Sequence, residues 1–257
     1  MNHLLSITSS CLILLCIVSC RKDERFEEEK RIQLTKITTE WGALSYTYDA
    51  SGKLTIEECT GGDEAYKTIY NNYGSQGELL GFTITYGREE ETDLRCENVY
   101  DEVGRLIKMS RYDLIAGVLL SYCTIEYGDE KIIRRQYNPP TTLWGTDEYI
   151  LTADKKNIAK YFFYLGGSTT PNSTVTYGEY DDRKNPNTLL PSGYSLERMV
   201  LSQNNPLSAV WVTESMPPDV EISYRYTYEY NSNGCPVKFS TTSELHNSNV
   251  FYEYNVN

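Results

Sequence analysis

The stretch Tyr46-Thr47-Tyr48-Asp49-Ala50-Ser51-Gly52-Lys53-Leu54-Thr55-Ile56 constrains this chain more than any other. Tyr46 and Tyr48 lie two apart and so share one face of a strand, as Leu54 and Ile56 do on the next. Between them, Asp49 to Gly52 supplies turn chemistry: an Asx side chain that bonds the backbone ahead, and a glycine free to take positive φ. The segment reads as strand, turn, strand. It returns at Tyr73-Gly74-Ser75-Gln76-Gly77-Glu78-Leu79, at Tyr100-Asp101-Glu102-Val103-Gly104-Arg105-Leu106 and, one residue longer, at Tyr230-Asn231-Ser232-Asn233-Gly234-Cys235-Pro236-Val237. The irregular spacing of these copies indicates a reused hairpin, not a solenoid of fixed period.

Around these hairpins, strand-like and turn-like segments alternate from Ile32 to Tyr137. Asn138-Pro139-Pro140 interrupts them, because consecutive prolines donate nothing to a ladder. A further hairpin pairs Asp147–Leu151 with Ile158–Tyr164, Ser173–Tyr180 follows, and strands resume after Asn204-Asn205-Pro206. Asp181 to Asn205 is irregular, with one short helix expected over Leu189–Leu201 and Pro191 near its start. The expected fold is all-β: one antiparallel meander of about 14–16 strands, curled or barrel-like, with its edges closed or covered.

The balance of 23 tyrosines against 6 phenylalanines and 3 tryptophans suits strands that bury a ring while its hydroxyl reaches water or a neighbour. A net charge of -12 excludes nucleic acid as a partner, since phosphate binding needs a basic footprint. Cys59, Cys96, Cys123 and Cys235 are scattered without metal-ligand spacing, and His246 is the single histidine beyond the leader, so no metal or other cofactor is expected. Their spacing leaves disulfides and buried free thiols both open.

At the N-terminus, Leu4–Val18 is apolar but short for a membrane span, and it ends in Ile17-Val18-Ser19-Cys20. That tetrapeptide resembles a bacterial lipobox. The resemblance implies lipidation of the Cys20 sulfur and cleavage after Ser19, giving a signal peptide over 1–19, a lipidated cysteine and charged tether over 20–30, and a single domain over 31–257. Lys22-Asp23-Glu24 resembles the acidic export signal of surface lipoproteins in Bacteroides-type bacteria. The expected location is therefore the outer membrane, held by the lipid anchor, with surface exposure favoured over the periplasm.

Two further resemblances concern the folded part. The Tyr-Asp-x-x-Gly-Arg/Lys-Leu core resembles the tyrosine-aspartate repeats of large bacterial shell proteins. Tyr180-Asp181-Asp182-Arg183-Lys184-Asn185-Pro186, Asn204-Asn205-Pro206 and Tyr226-Thr227-Tyr228-Glu229-Tyr230 leading into Asn233-Gly234-Cys235-Pro236 resemble the lipoprotein family catalogued as domain of unknown function 4595. That resemblance implies a porin-like β fold and brings no activity with it.

Candidate chemistry is sparse. Tyr224, Tyr226, Tyr228 and Tyr230 project from one strand face at a spacing of about 7 Å, fit for stacking on a glycan or an extended peptide, or for a cross-strand aromatic ladder continued by Tyr252 and Tyr254. No Gly-x-Ser-x-Gly elbow occurs, and His246 lies in a polar stretch that reads as a hairpin loop. Nothing singles out a carboxylate pair for glycoside hydrolysis, or Asp181-Asp182 and Glu89-Glu90-Glu91 for calcium. Charges interrupt most strands, so a barrel that stays in water is expected over one that spans a membrane. The chain thus reads as a non-enzymatic, lipid-anchored envelope protein that binds a glycan or protein polymer. The alternatives are a periplasmic structural or assembly role and, third, a hydrolase.

Overall fold

The computed structural model describes residues 31–61, 65–87, 92–191, 202–213 and 221–256. The leader, Cys20, the tether, Glu89-Glu90-Glu91 and positions 192–201 of the expected helix lie outside these residues.

The described chain forms β1 Ile32–Thr39, β2 Gly42–Tyr48, β3 Leu54–Thr60, β4 Tyr66–Tyr73, β5 Leu79–Tyr86, β6 Leu94–Tyr100, β7 Leu106–Asp113, β8 Leu119–Tyr127 and β9 Lys131–Asn138. It continues with β10 Thr142–Leu151, β11 Ile158–Leu165, β12 Ser173–Tyr177, β13 Tyr180–Lys184, β14 Asn204–Pro206, β15 Ser208–Thr213, β16 Glu221–Tyr230, β17 Pro236–Thr242 and β18 Asn247–Val256. All but β13 and β14 belong to one antiparallel sheet of 16 strands, in which each strand pairs with its sequence neighbour and β12 passes directly to β15. The sheet closes on itself where β18 pairs with β1, from Ile32↔Val256 to Thr38↔Phe251. The closed barrel leaves no free edge, which is how a long meander avoids exposing unpaired backbone.

β13 and β14 form a separate two-stranded sheet inside the region expected to be irregular. Gly178 turns the chain out of the barrel, so the strand expected over Ser173–Tyr180 stops at Tyr177. The side chain of Asp181 then receives the backbone N–H and amide of Asn205. Just before the expected helix, Pro186–Leu189 forms a 3-10 turn capped by Asn185, and Leu190, at the expected start, is extended and buried in the core. The strand expected from Asp147 starts at Thr142, because the proline break is confined to the turn before it.

The repeated hairpins all lie at one end of the barrel. In each, the glycine takes positive φ, 75° at Gly52 and 80° at Gly104, and in three of the four the side chain of Asp49, Asp101 or Asn231 accepts backbone N–H bonds across the turn. These four turns join β2 to β3, β4 to β5, β6 to β7 and β16 to β17, and the β8–β9 and β10–β11 turns lie at the same end. The alternate pairs have no covalent link there, and some of their ladders stop short of this end, β3–β4 beginning at Ile56↔Ile69 and β5–β6 at Gly81↔Glu97, whereas β9–β10 and β18–β1 reach it at Lys131↔Ile150 and Ile32↔Val256.

Tyrosine hydroxyls span the gaps. Tyr48 donates to the carbonyl of Leu34, Tyr73 to Leu54, Tyr100 to Leu79, and Tyr127 to Leu106, at 2.6–3.0 Å. Tyr180 to Ile158 and Tyr254 to Pro236 repeat the tie at 2.5 and 2.8 Å. Five of the six acceptors, Leu34 excepted, head an ascending strand with the side chain buried inside, and the Leu79 carbonyl also accepts from Asn98 Nδ2 at 2.8 Å. Burial, with nearby Asp49 and Tyr100 adding to it, pushes the Tyr73 phenol up to about 12. Tyr73 therefore stays a donor throughout the neutral range.

Removing one hydroxyl leaves a carbonyl unmet while keeping the ring, so Tyr73→Phe and Tyr127→Phe are each expected to cost about 1 kcal/mol. The two sites share no partner, and the double variant is expected to lose about twice that, read from urea unfolding midpoints at constant slope. Unchanged midpoints would show that the ties carry no stability.

Candidate functional site

The inner wall has two unlike parts. From β1 to β9 it is filled mainly by buried apolar side chains, among them Leu34, Leu54, Leu79, Phe82, Met109, Ile125 and Ile132. From β10 to β18 the inward positions carry rings that are only half-buried: Tyr149, Tyr161, Phe163, Tyr177, Trp211, Phe239 and Tyr252. Register links several of them in one row, Tyr149↔Tyr161↔Val175↔Trp211↔Ile222, across four strand boundaries.

Tyr224, Tyr226, Tyr228 and Tyr230 stand on this inner wall, alternating with exposed Arg225, Thr227 and Glu229 on the outside. The row divides in two. Tyr228 donates to the Pro206 carbonyl at 3.1 Å and Tyr230 to the Asp181 carboxylate, so both are tied into the architecture and Asp181 is engaged within the fold. Tyr224 stacks on Tyr226 at 6.3 Å, and Tyr226 tilts against Phe239 at 5.5 Å. Burial pushes the Tyr226 phenol up to about 12, keeping it neutral. Tyr252 and Tyr254 continue the inner row on β18, as the alternation predicts.

A polar group next to this wall escaped the sequence reading. Asp147 on β10 is 1% exposed, and its Oδ2 accepts from Arg134 Nε at 2.9 Å and from Gln136 Nε2 at 2.8 Å. Its Oδ1 accepts from the Tyr161 hydroxyl at 2.8 Å. The Arg134 side chain is 8% exposed, and its Nη1 is buried without a hydrogen-bond partner. Burial pulls the guanidinium down, but Tyr149 and Asp147 outweigh it and hold the group above its ordinary value. Burial, followed by the Asp147 charge, raises the Tyr161 phenol well above its usual range. The only hint in the sequence is parity: Arg134 and Gln136 share the face of Ile132, and Asp147 that of Tyr149. Register is needed to see that the opposite charges meet.

Near the same place the Trp144 and Phe163 rings lie 5.8 Å apart, with Trp144 47% exposed. Gly145 permits this contact, since a Cβ there would sit 2.8 Å from the Phe163 ring. His246 lies in the turn before β18, half-exposed and 3.2 Å from Glu40, away from any nucleophile–base pair. The four described cysteines are free, three of them buried, and burial drives the Cys96 thiol up to about 12 against the pull of Arg111.

The outer wall is charged. Lys36 faces Glu253, Glu58 faces Lys67, and Glu229 faces Lys238 across neighbouring strands at 3.5, 2.7 and 3.0 Å, and Lys131 reaches Glu148 at 2.6 Å. In water such pairs contribute little. Facing lipid, each cation near the midplane would cost about 2–4 kcal/mol, and apolar side chains such as Val99, Leu120 and Phe251 are exposed on strands of the same sheet. Among the described residues no helix is long and apolar enough to cross a membrane.

Two crystal structures share this architecture. A porin-like protein from Bacteroides uniformis matches with a TM-score of 0.53 at 14% identity, over 87% of this chain and 95% of its own. One from Bacteroides vulgatus matches with a TM-score of 0.55 at 13% identity, over 87% and 98%. The fold is porin-like. At such identity the likeness concerns the fold alone. No family model matches the chain, and no curated protein does. The porin-like barrel here differs from a membrane pore in its charged exterior.

Breaking the buried pair from one side strands a charge. Asp147→Ala is expected to destabilise the barrel by about 3–5 kcal/mol, whereas Arg134→Met with Asp147→Leu together is expected to cost far less, measured by chemical denaturation. Equal losses would mean that the pair itself, not the stranded charge, sets the cost.

Proposed function

We propose that the chain is a lipid-anchored, non-enzymatic protein of the bacterial envelope that takes an extended ligand, a glycan or a segment of protein, into the aromatic half of its barrel. The observation that carries this reading is the contrast between the two halves of the inner wall. A sheet of 16 strands encloses more space than side chains readily fill. Here one half is packed with apolar side chains while the other carries rings that are only half-buried, and ring faces are apolar contact surfaces with a polar handle. An entirely architectural role suits Tyr228 and Tyr230, whose hydroxyls are bonded within the fold, but leaves Trp211, Tyr224 and Tyr226 without a task.

A water-facing barrel needs another means of attachment, and the lipobox-like Ile17-Val18-Ser19-Cys20 supplies one. Lipidation of Cys20 would hold the protein at the outer membrane, with Lys22-Asp23-Glu24 favouring the outer surface. This arrangement accords with the resemblance to domain of unknown function 4595.

Two measurements test the two parts. The purified full chain is screened against glycan and protein arrays, and Trp211→Ala and Tyr226→Ala are each expected to weaken the captured ligand at least tenfold, about 1.4 kcal/mol. Affinity unchanged in both variants would overturn the site. Cys20→Ala is expected to abolish incorporation of labelled fatty acid and to release the protein from membranes. Full retention in the membrane fraction would overturn the anchor.

A further inference from the structure

We infer that the barrel recognises a neutral, hydroxyl-rich saccharide at a subsite formed by Gln136, Tyr161, Trp144 and Phe163 and backed by the Arg134–Asp147 pair; this rests on the proposed use of the barrel interior for binding. The argument turns on which atoms the backing pair leaves free. Asp147 accepts hydrogen bonds only, so the atom Gln136 turns toward it is Nε2, at 2.8 Å. The amide is thereby fixed with Oε1 directed elsewhere, and Gln136 is only half-buried. The Tyr161 hydroxyl spends its proton on Asp147 at 2.8 Å, which leaves its oxygen lone pairs as acceptors. Both groups thus present acceptors, and the molecule that satisfies them must bring donors.

Charge narrows the choice. The Asp147 carboxylate lies 2.9 Å from Arg134 Nε, and both side chains are more than nine-tenths buried, so the backing is a compensated pair. It offers no net negative charge to retain an amine, while the two acceptors disfavour a carboxylate or phosphate. Hydroxyl groups remain. Beside them lies an apolar platform: Phe163 pairs in register with Asp147, and Trp144, 47% exposed, leans on Phe163 at 5.8 Å. A sugar ring matches this pairing, since its C–H face covers an aromatic ring while its rim hydroxyls donate at the edge. Gly145 leaves the Phe163 ring its place, since a Cβ there would sit 2.8 Å from it.

The test titrates the full chain by calorimetry with neutral gluco-, manno- and galacto-oligosaccharides, with oligogalacturonides as acidic counterparts, and with oligolysine. The expected result is binding of at least one neutral series, weakened tenfold or more by Gln136→Leu, which removes the acceptor at similar size, and by Trp144→Ala, which removes the exposed platform. A thermal midpoint of each variant confirms that it folds, and Trp144→Ala, at an exposed position, carries the test if Gln136→Leu does not. Preference for oligogalacturonide or oligolysine would overturn the inference, as would neutral binding that both variants leave untouched. If only polypeptides from the arrays bind, and bind in a manner sensitive to Trp211→Ala, this inference falls while the binding role of the barrel stands. If no ligand of any class responds to Trp211→Ala or Tyr226→Ala, both fall.

Discussion

The hydrogen bond from a strand-ending tyrosine to the carbonyl that heads the preceding ascending strand is the constraint on which this barrel depends. A closed sheet needs every neighbouring pair held at both ends, and a meander supplies covalent turns to only half of them at each end. At the hairpin end the unlinked pairs β3–β4 and β5–β6 splay, as the early stop of their ladders records. Tyr73 and Tyr100 reach across those gaps to the carbonyls of Leu54 and Leu79. Turn and tie alternate around the rim, so β1 to β8 are secured without interruption. Phenylalanine would fill the same volume and forgo the bond, which gives tyrosine a physical reason at these six positions.

The same device explains why so much of the fold could be read from the chain. In Tyr-Asp-x-x-Gly-Arg-Leu the tyrosine and leucine are the two ends of the inner layer and the residues between them are the turn, so one motif fixes strand end, reversal and strand start together. Strands such as β5 and β6 fall on the expected residues for that reason. Where the motif is missing, reading fails. β14 is Asn204-Asn205-Pro206, with no alternation to detect, and its pairing with β13 rests on Asp181 meeting Asn205 across the chain. Closure was foreseen only as a need: that Leu34 would lie opposite Tyr254 is a fact of register between the two ends of the barrel.

The placement of the tyrosine row shows what alternation can and cannot tell. Period two placed Tyr224 to Tyr230 on one face, and the structure keeps them there. Which face became the inside, and which rings would be tied down, depended on the excursion through β13 and β14. That excursion delivers Asp181 to Tyr230 and the Pro206 carbonyl to Tyr228, binding the half of the row nearest the hairpin end into the rim. Tyr224 and Tyr226 lie farther along the strand, beyond its reach. One uniform stretch of sequence is thereby divided into a structural part and a part open to the barrel interior.

The Arg134–Asp147 pair lies at the seam between the packed half and the aromatic half of the wall, and its position is more telling than its strength. A buried pair of this kind is seldom the most stable solution, since desolvation consumes most of its attraction and apolar residues of similar volume serve as well. Here a further donor, Arg134 Nη1, is left buried and unmet, which adds to that cost. What the pair provides is orientation. Asp147 fixes the amide of Gln136 and the hydroxyl of Tyr161 in single settings, with their acceptor sides turned away from it. An apolar replacement would keep the barrel closed and lose that setting. A fold held shut by tyrosine ties at its rim can bear an expensive pair in its wall, and the place where it bears one is the border of the aromatic half, whose rings are only half-buried.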